Sequence, residues 1–502
     1  MAAEAESAAL PTDLAAAHQV ITKLQRENDW LRHRLDVLSR RIFGKTSEQL
    51  SPDQLTLAYE QLGNEIDKAQ APEEPDSVET PPAERAKPKR GRRAIPKNIR
   101  RVDVVVDIPE EEKTCTSCGV TRECIGEETS EKYDYIPAEL VCQVTHRPKY
   151  GSCKCRPGVL VAPPAPQAIE KGLAAEGLLA WLLTAKYVDH LPLYRLEGIL
   201  ARHGADISRQ TLCDWVASCA DALNPIYEHL RRSVVGVDYL QTDDTPVTIL
   251  GPGGGSLTGR LWVYLDPLGR KVFFDATPTR GRDGPERVLK DFKGYLQADA
   301  YSAYDALYRT GALVEVGCWA HARRKFFDTR EQDPEAMKML ALIGKLYEVE
   351  RQAAELEPEE RRARRQEKSL PVLEEIDRVR EELSRTALPK SGLGEALRYL
   401  HNQREALGRY LLDGRLKPDN NGAENQLRVV AVGRKNWLFA GSFEGARRAA
   451  LLYTLAQGCK LAGVEPFRYF KDVLRRVATH PAARIDELTP TGWAATLAQS
   501  AG

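Results

Sequence analysis

Between residues 21 and 42 the apolar positions follow a heptad, with Ile21, Leu35 and Ile42 at position a and Leu24, Leu31 and Leu38 at position d. Asn28 occupies the remaining a position. A seam of this kind buries itself against a second helix, and a lone Asn at a fixes register and favours two strands. The pattern predicts a coiled-coil segment over 15–62; the plainer alternative is one amphipathic helix packed on its own domain. Further on, residues 102–162 read as short strands and 173–222 as helix. Strand-like runs follow at 234–240, 260–266, 271–276, 295–298 and 313–318, with a Gly-rich hairpin loop at 251–256 and a helix-like stretch at 285–292. Strands in series, then a helix, then more strands, predict a mixed sheet with helices on its faces. Residues 330–410 are rich in Glu, Arg, Leu and Ala and should be helical, and 420–475 alternates loop and helix.

These patterns divide the chain into a multidomain α+β protein. The expected order is the coiled coil at 15–62, a linker at 63–101, a small β module at 102–165 and a helical module at 170–225. A mixed α/β domain at 230–475 follows, interrupted by a helical insertion at about 330–410, and then a tail at 476–502. No apolar run approaches the roughly 18 residues of a membrane span, and the acidic start lacks the basic and apolar regions of a secretory signal. A cytoplasmic protein with no membrane partner is expected.

Charge changes the picture only locally, because 72 basic residues balance 72 acidic ones over 502. Residues 67–85 are Pro- and Glu-rich and read as a disordered acidic linker. From 85 to 101 there are nine Lys or Arg and no acid, centred on Lys89, Arg90, Gly91, Arg92 and Arg93. That core resembles a minor-groove hook, in which Gly lets the backbone lie low while arginines seek the groove's negative potential; a solvated basic tail is the alternative.

Ten cysteines are too few for a disulfide scaffold. Cys115 and Cys118 have the spacing of half a zinc knuckle. Cys153 and Cys155 offer an irregular second half, with Cys124, Cys142 and His146 as substitutes. A structural Zn²⁺ or a metal-free fold both fit. Cys213, Cys219, Cys318 and Cys459 are isolated and read as small packed residues. In the helical module, residues 193–203, a turn at Gly204 and a Ser208 cap open a second helix that begins with Arg209 and Gln210. This is the order of a helix-turn-helix, with those two side chains at the start of the reading helix, although any two packed helices with a Gly turn look alike.

Asp243 and Asp244 close one apolar run, Asp299 closes another, and Glu424 sits where a turn enters a helix. Two acids on sheet strands and a third on a helix can hold two divalent cations for attack on a phosphodiester, and hard oxygen ligands suit Mg²⁺ or Mn²⁺. Taken singly, each reads more readily as a surface strand-end acid. His321 precedes Arg323, Arg324 and Lys325, and Arg428, Arg434 and Lys435 follow Glu424 ahead of Trp437. These cations can neutralise phosphates and the aromatics can stack on an unpaired base.

Thr242-Asp-Asp-Thr-Pro-Val247, Gln297-Ala-Asp-Ala-Tyr-Ser-Ala-Tyr304 and Cys318-Trp-Ala-His-Ala-Arg-Arg-Lys-Phe326 resemble the transposase of the insertion sequence 66 family. So do the residues 420–425 through Gly433-Arg-Lys-Asn-Trp437, the zipper ending in residues 42–48, the Cys115 knuckle and Leu191-Pro-Leu-Tyr-Arg195. The resemblance runs in order over nearly the whole chain. It implies an RNase H-like or integrase-like catalytic domain whose acidic triad is Asp243, Asp299 and Glu424, binding Mg²⁺, with the 330–410 stretch inserted before the Glu-bearing helix. The family pattern at the first acid is Asp-Glu-Thr, and Asp244 stands here in place of the Glu. The second zinc half is usually CxxC; Ser152 stands where its first thiol belongs. The resemblance further implies binding of an element's inverted ends, end hydrolysis, and joining of the 3′-hydroxyls to target DNA. A nucleoid-associated homodimer or higher oligomer through the coiled coil is expected, and the resemblance implies accessory proteins from the same element. A metal-dependent nuclease without strand transfer and a decayed DNA-binding regulator are the rival readings.

Overall fold

The computed structural model describes residues 138–150, 159–163, 165–169, 172–251 and 255–500. The heptad segment, the basic run with Lys89, Arg90, Arg92 and Arg93, and the four thiols Cys115, Cys118, Cys153 and Cys155 lie outside the described residues. Of the substitute ligands, Cys142 and His146 are described, and both are exposed beside a two-residue antiparallel ladder of β1 (Lys149–Tyr150) and β2 (Leu160–Val161).

Three helices lead into the sheet: α1 (Glu176–Tyr187), α2 (Leu193–Arg202) and α3 (Arg209–Val235). Gly204 makes the turn after α2 with φ +83°, a conformation that costs a Gly nothing. Ser208 caps α3 by accepting from the Thr211 N–H at 3.2 Å. The helix-turn-helix order is present, but α3 does not stop at a domain boundary near 225. It continues through Pro225 to Val235, and its buried face shares one core with the sheet. Cys213 is exposed on this helix rather than packed, whereas Cys219, Cys318 and Cys459 are buried.

The sheet has five strands in the order β5-β4-β3-β6-β7. They are β3 (Tyr239–Leu250), β4 (Ser256–Asp266), β5 (Lys271–Thr277), β6 (Gly294–Gln297) and β7 (Leu313–Val316). β3, β4 and β5 form an antiparallel meander, while β6 and β7 run parallel to β3. The run expected at 234–240 divides: Val234 ends α3, and the strand starts at Tyr239. Val247, Ile249, Val263 and Phe274 on one face pack beneath α3, α11 (Asn421–Trp437) and α12 (Phe443–Ala462). Leu240, Trp262, Phe273 and Leu296 on the other face cover Leu289 of α4 (Asp283–Leu289) and Tyr304, ahead of α5 (Asp305–Tyr308). α12 is buried over most of its length, because it runs across the sheet between other helices.

After β7, α6 (Trp319–Thr329) enters the helical insertion: α7 (Ala336–Gln352), α8 (Pro358–Ser384), α9 (Gly392–Asn402) and α10 (Arg404–Gly408). These helices bury a core of their own around Met339, Ile343, Ile376 and Leu397. The end of the chain is folded rather than a tail. α13 (Pro466–Arg476) is followed by a 3-10 segment and α14 (Pro490–Ser500). Leu488 and Trp493 are buried, and the Trp493 ring N–H donates to Asp472 at 2.8 Å. Two buried residues this far apart leave no periodic run in the sequence. Among the described residues no helix is long and apolar enough to cross a membrane.

Candidate functional site

β3 is longer than its parallel neighbour, and this places the acids. The last paired rung of β3 and β6 is Gln241 against Gln297, and Asp243 and Asp299 each stand two residues beyond it. Neighbouring strands lie about 4.8 Å apart, so the register brings both acids to the same end of the parallel ladder, where the charge of Asp299 is felt at Asp243. Asp243 is therefore mid-strand with respect to β4, where it pairs with Val263, and not at a strand end as the sequence suggests. The parallel ladder ends two residues before it.

The third acid arrives through a buried polar plate under that rung. Tyr239 Oη donates to Gln297 Oε1 at 2.7 Å, and Gln241 Nε2 donates to the same oxygen at 2.8 Å. Gln241 Nε2 also reaches the Asp419 carbonyl at 3.0 Å, and Gln297 Nε2 reaches those of Gly317 and Lys417 at 3.0 and 2.8 Å. Asn420 Nδ2 donates to the Thr242 carbonyl at 2.9 Å, and its backbone N–H to Cys318 Sγ at 3.3 Å. A Cβ on Gly422 would lie 2.2 Å from Gln241 Oε1, so only Gly lets α11 come this close. These bonds set the first turn of α11, and with it Glu424, over β3.

Electrostatics follow from that convergence. Burial is the largest cause pushing the Asp243 carboxyl up to about 7, and the negative charges of Asp299, Glu424 and Asp244 add to it. The Asp244 N–H, donating to Asp243 Oδ1 at 2.7 Å, works in the opposite direction. Asp243 has no ion pair among the described residues. Asp299 accepts from the Tyr301 N–H at 3.2 Å across Ala300, which has a left-handed φ of +63°. Glu424 Oε1 lies 3.7 Å from His321 Nδ1, and one ligand atom each of Cys318, His321 and Glu424 falls within 4.8 Å of the others. Burial pushes the Cys318 thiol up to about 12, consistent with a small packed residue.

The remaining sequence-derived candidates divide. Arg434 is spent on docking α11, donating to Thr245 Oγ1 at 3.0 Å and the Pro246 carbonyl at 2.6 Å. Arg324, Arg428 and Lys435 are exposed. Lys325 lies 4.9 Å over the Tyr399 ring, and Arg323 is half-buried 5.7 Å from the Phe327 ring. Arg209 and Gln210 are exposed at the start of α3, where Gln210 donates to Asp214 at 2.9 Å.

Sequence reasoning missed two arginines and two glutamines. Asp244, its side chain 2% exposed, accepts from Arg260 at 3.0 Å and from Arg280 at 2.9 Å. Nothing periodic marks Arg280, which lies on the loop after β5. The glutamines carried a signal, because Gln-x-Asp occurs at both strand acids, as Gln241-Thr-Asp243 and Gln297-Ala-Asp299.

Comparison with known proteins places the whole chain. The model described as transposase IS66 family matches residues 171–448. Models described as the zinc-finger binding domain of transposase IS66, transposase C of IS166 homeodomain and the IS66 C-terminal element match 112–156, 30–104 and 454–491. The zinc-finger match spans Cys115, Cys118, Cys153 and Cys155. Uncharacterized protein y4qI of Sinorhizobium fredii is 33% identical over 97% of this chain and 94% of its own length. Uncharacterized protein y4jD of the same organism is 30% identical over 97% of each. No solved structure matches the chain. Matched over more than half its length by the family's main model and beyond that by three others, the chain belongs to the IS66 transposase family.

Proposed function

We propose that this chain is a DNA transposase that hydrolyses the DNA at the ends of an insertion sequence and joins the freed 3′-hydroxyls to target DNA. The observation that carries the reading is the convergence on Asp243. A half-buried carboxyl, raised first by burial and then by three neighbouring acids, and lacking a cationic partner among the described residues, is a site short of positive charge. Its neighbours are oxygen donors, which fit Mg²⁺ or Mn²⁺. Asp243, Asp299 and Glu424 would hold the ions. When bound, such ions supply activation of the attacking hydroxyl and stabilisation of the leaving oxygen.

The chain's own residues do the rest. The glutamine plate ties the strands that carry Asp243 and Asp299 to the turn that enters the Glu424 helix, which supports a ligand set drawn from all three. Arg324, Arg428 and Lys435 are the exposed cations available to the phosphodiester backbone. The strand order, a three-stranded antiparallel meander continued by two parallel strands, supports the RNase H-like reading. Arg209 and Gln210, presented by a capped helix after a Gly turn, support recognition of the inverted ends by the helix-turn-helix. The basic hook at Lys89, Arg90, Arg92 and Arg93 would add phosphate contacts. Zinc on Cys115, Cys118, Cys153 and Cys155, dimerisation through the heptad, accessory proteins and a nucleoid location complete the proposal.

The test is an assay on labelled element ends with Mg²⁺ or EDTA, comparing wild type, Asp299→Ala and Glu424→Ala. Metal-dependent nicking at the end, absent from both variants, is expected, and joined product should require a free 3′-hydroxyl. Intact end processing by Asp299→Ala would overturn the triad. Cutting without joining would favour a nuclease, and binding without cutting a regulator.

A further inference from the structure

Two arginines share the buried Asp244, and one carboxylate cannot neutralise both. Arg260 is the more enclosed, with its side chain 21% exposed and Nη1 3.0 Å from Asp244 Oδ2. Arg280 is 37% exposed and approaches the other oxygen, Oδ1, through Nε at 3.0 Å and Nη2 at 2.9 Å. That double contact fixes the guanidinium in position. Its plane is fixed as well, because it lies 3.9 Å over the Tyr301 ring, and the Tyr301 hydroxyl donates back to the Arg280 carbonyl at 2.6 Å. Held this way, Arg280 Nη2 stands 3.6 Å from Asp299 Oδ2, in ion-pair range but beyond a good hydrogen bond. Its Nη1 has no partner among the described residues.

We infer that Arg280 is a catalytic residue that binds a non-bridging oxygen of the scissile phosphate, and that Asp244 is the positioning residue that aims it. The inference rests on the end-hydrolysis reading of this same site. A planar fork held on one edge and open on the other suits a phosphate oxygen, which needs a directed donor as charge builds in the transition state. The loose contact to Asp299 is the one Arg280 gives up when that carboxylate is engaged elsewhere. The arrangement also gives the second acid of the Asp-Asp pair a role distinct from the first: Asp243 faces the site, and Asp244 anchors the cations beside it.

Two readouts separate this inference from the reading beneath it. The first is binding of the full-length protein to a labelled duplex carrying the terminal repeat, titrated with salt in Ca²⁺. The slope of log K against log salt should fall by about one in Arg280→Ala, the loss of one phosphate contact. The second is single-turnover cleavage in saturating Mg²⁺, expected to drop about a hundredfold in Arg280→Ala. Added guanidinium ion should restore part of the rate, whereas Arg280→Lys, which keeps charge but not the fork, should remain slow. An unchanged slope with an unchanged rate overturns the inference and leaves the reading intact. A rate loss without slope change or guanidinium rescue, together with a lower unfolding midpoint, makes Arg280 merely structural and also overturns it. A wild type whose slope exceeds that of Arg280→Ala but which never cuts sinks the hydrolysis reading while the phosphate contact stands. A protein that neither binds nor cuts overturns both.

Discussion

Replacing Asp243 with Asn removes a charge that the metal-free fold holds at a cost. Asn keeps an oxygen to accept the Asp244 N–H. The carboxyl is raised from 3.8 to about 7, and each unit corresponds to about 1.4 kcal/mol, so the ionised side chain costs at most about 4 kcal/mol. Asp243 is partly exposed, and solvent screening reduces the expected gain from Asp243→Asn to about 1–2 kcal/mol. The sign follows from proton binding. Above about 7 the acid is ionised in both the folded and unfolded chains, and the cost is fully present. As pH falls from about 7 to 3.8 only the folded form takes up the proton, so this group's destabilisation fades. Urea unfolding in EDTA should find Asp243→Asn more stable than wild type at about pH 8, with the difference shrinking as pH falls and largely gone at about pH 4. Added Mg²⁺ should stabilise wild type and leave the variant nearly unmoved. Equal stability at the higher pH, or the same gain at both, would refute the claim that burial and the neighbouring acids together burden this carboxylate.

Gln297→Leu should cost about 2–4 kcal/mol in urea unfolding, because it removes the acceptor of the Tyr239 hydroxyl and the Gln297 donor to the carbonyls of Gly317 and Lys417. Arg365 in α8 is fully buried, bonded to both oxygens of Glu350 at 2.8 and 2.7 Å and to the carbonyls of Tyr410, Asp413 and Leu416. Arg365→Met should cost about 3–5 kcal/mol, and adding Glu350→Gln should return part of it, since the loss lies in an uncompensated buried charge.

How far the sequence could be read depends on where the signal lies. β4 and β5 were legible to within a few residues because their apolar runs are continuous and bounded by turns. β3 was half-missed, since the polar Gln-Thr-Asp-Asp stretch looks like a strand end although it pairs with β4 throughout. The three acids were legible one by one, but their convergence depends on the parallel register of β3 and β6 and on the Asn420 bonds, neither of which leaves a periodic trace. Arg280 was invisible because a surface loop carries no pattern, and only the burial of Asp244 gives it meaning. The folded C-terminus escaped for a related reason: Leu488 and Trp493 fill sites on other helices instead of forming a stripe of their own.

α3 has a mechanical consequence. At about 1.5 Å per residue its 27 residues make a rod of about 40 Å, with Arg209 and Gln210 at one end and a stretch seated under the sheet at the other. On the proposed reading, in which Arg209 and Gln210 meet DNA and the acids cut it, reader and cutter joined by one continuous, packed helix behave as a caliper rather than as beads on a string. The distance and rotational phase between the bases touched at the tip and the bond cut at the acids are then properties of the protein. An element end with a few base pairs inserted between recognition site and terminus should present the wrong phosphate to the acids, even though every contact at the tip is preserved.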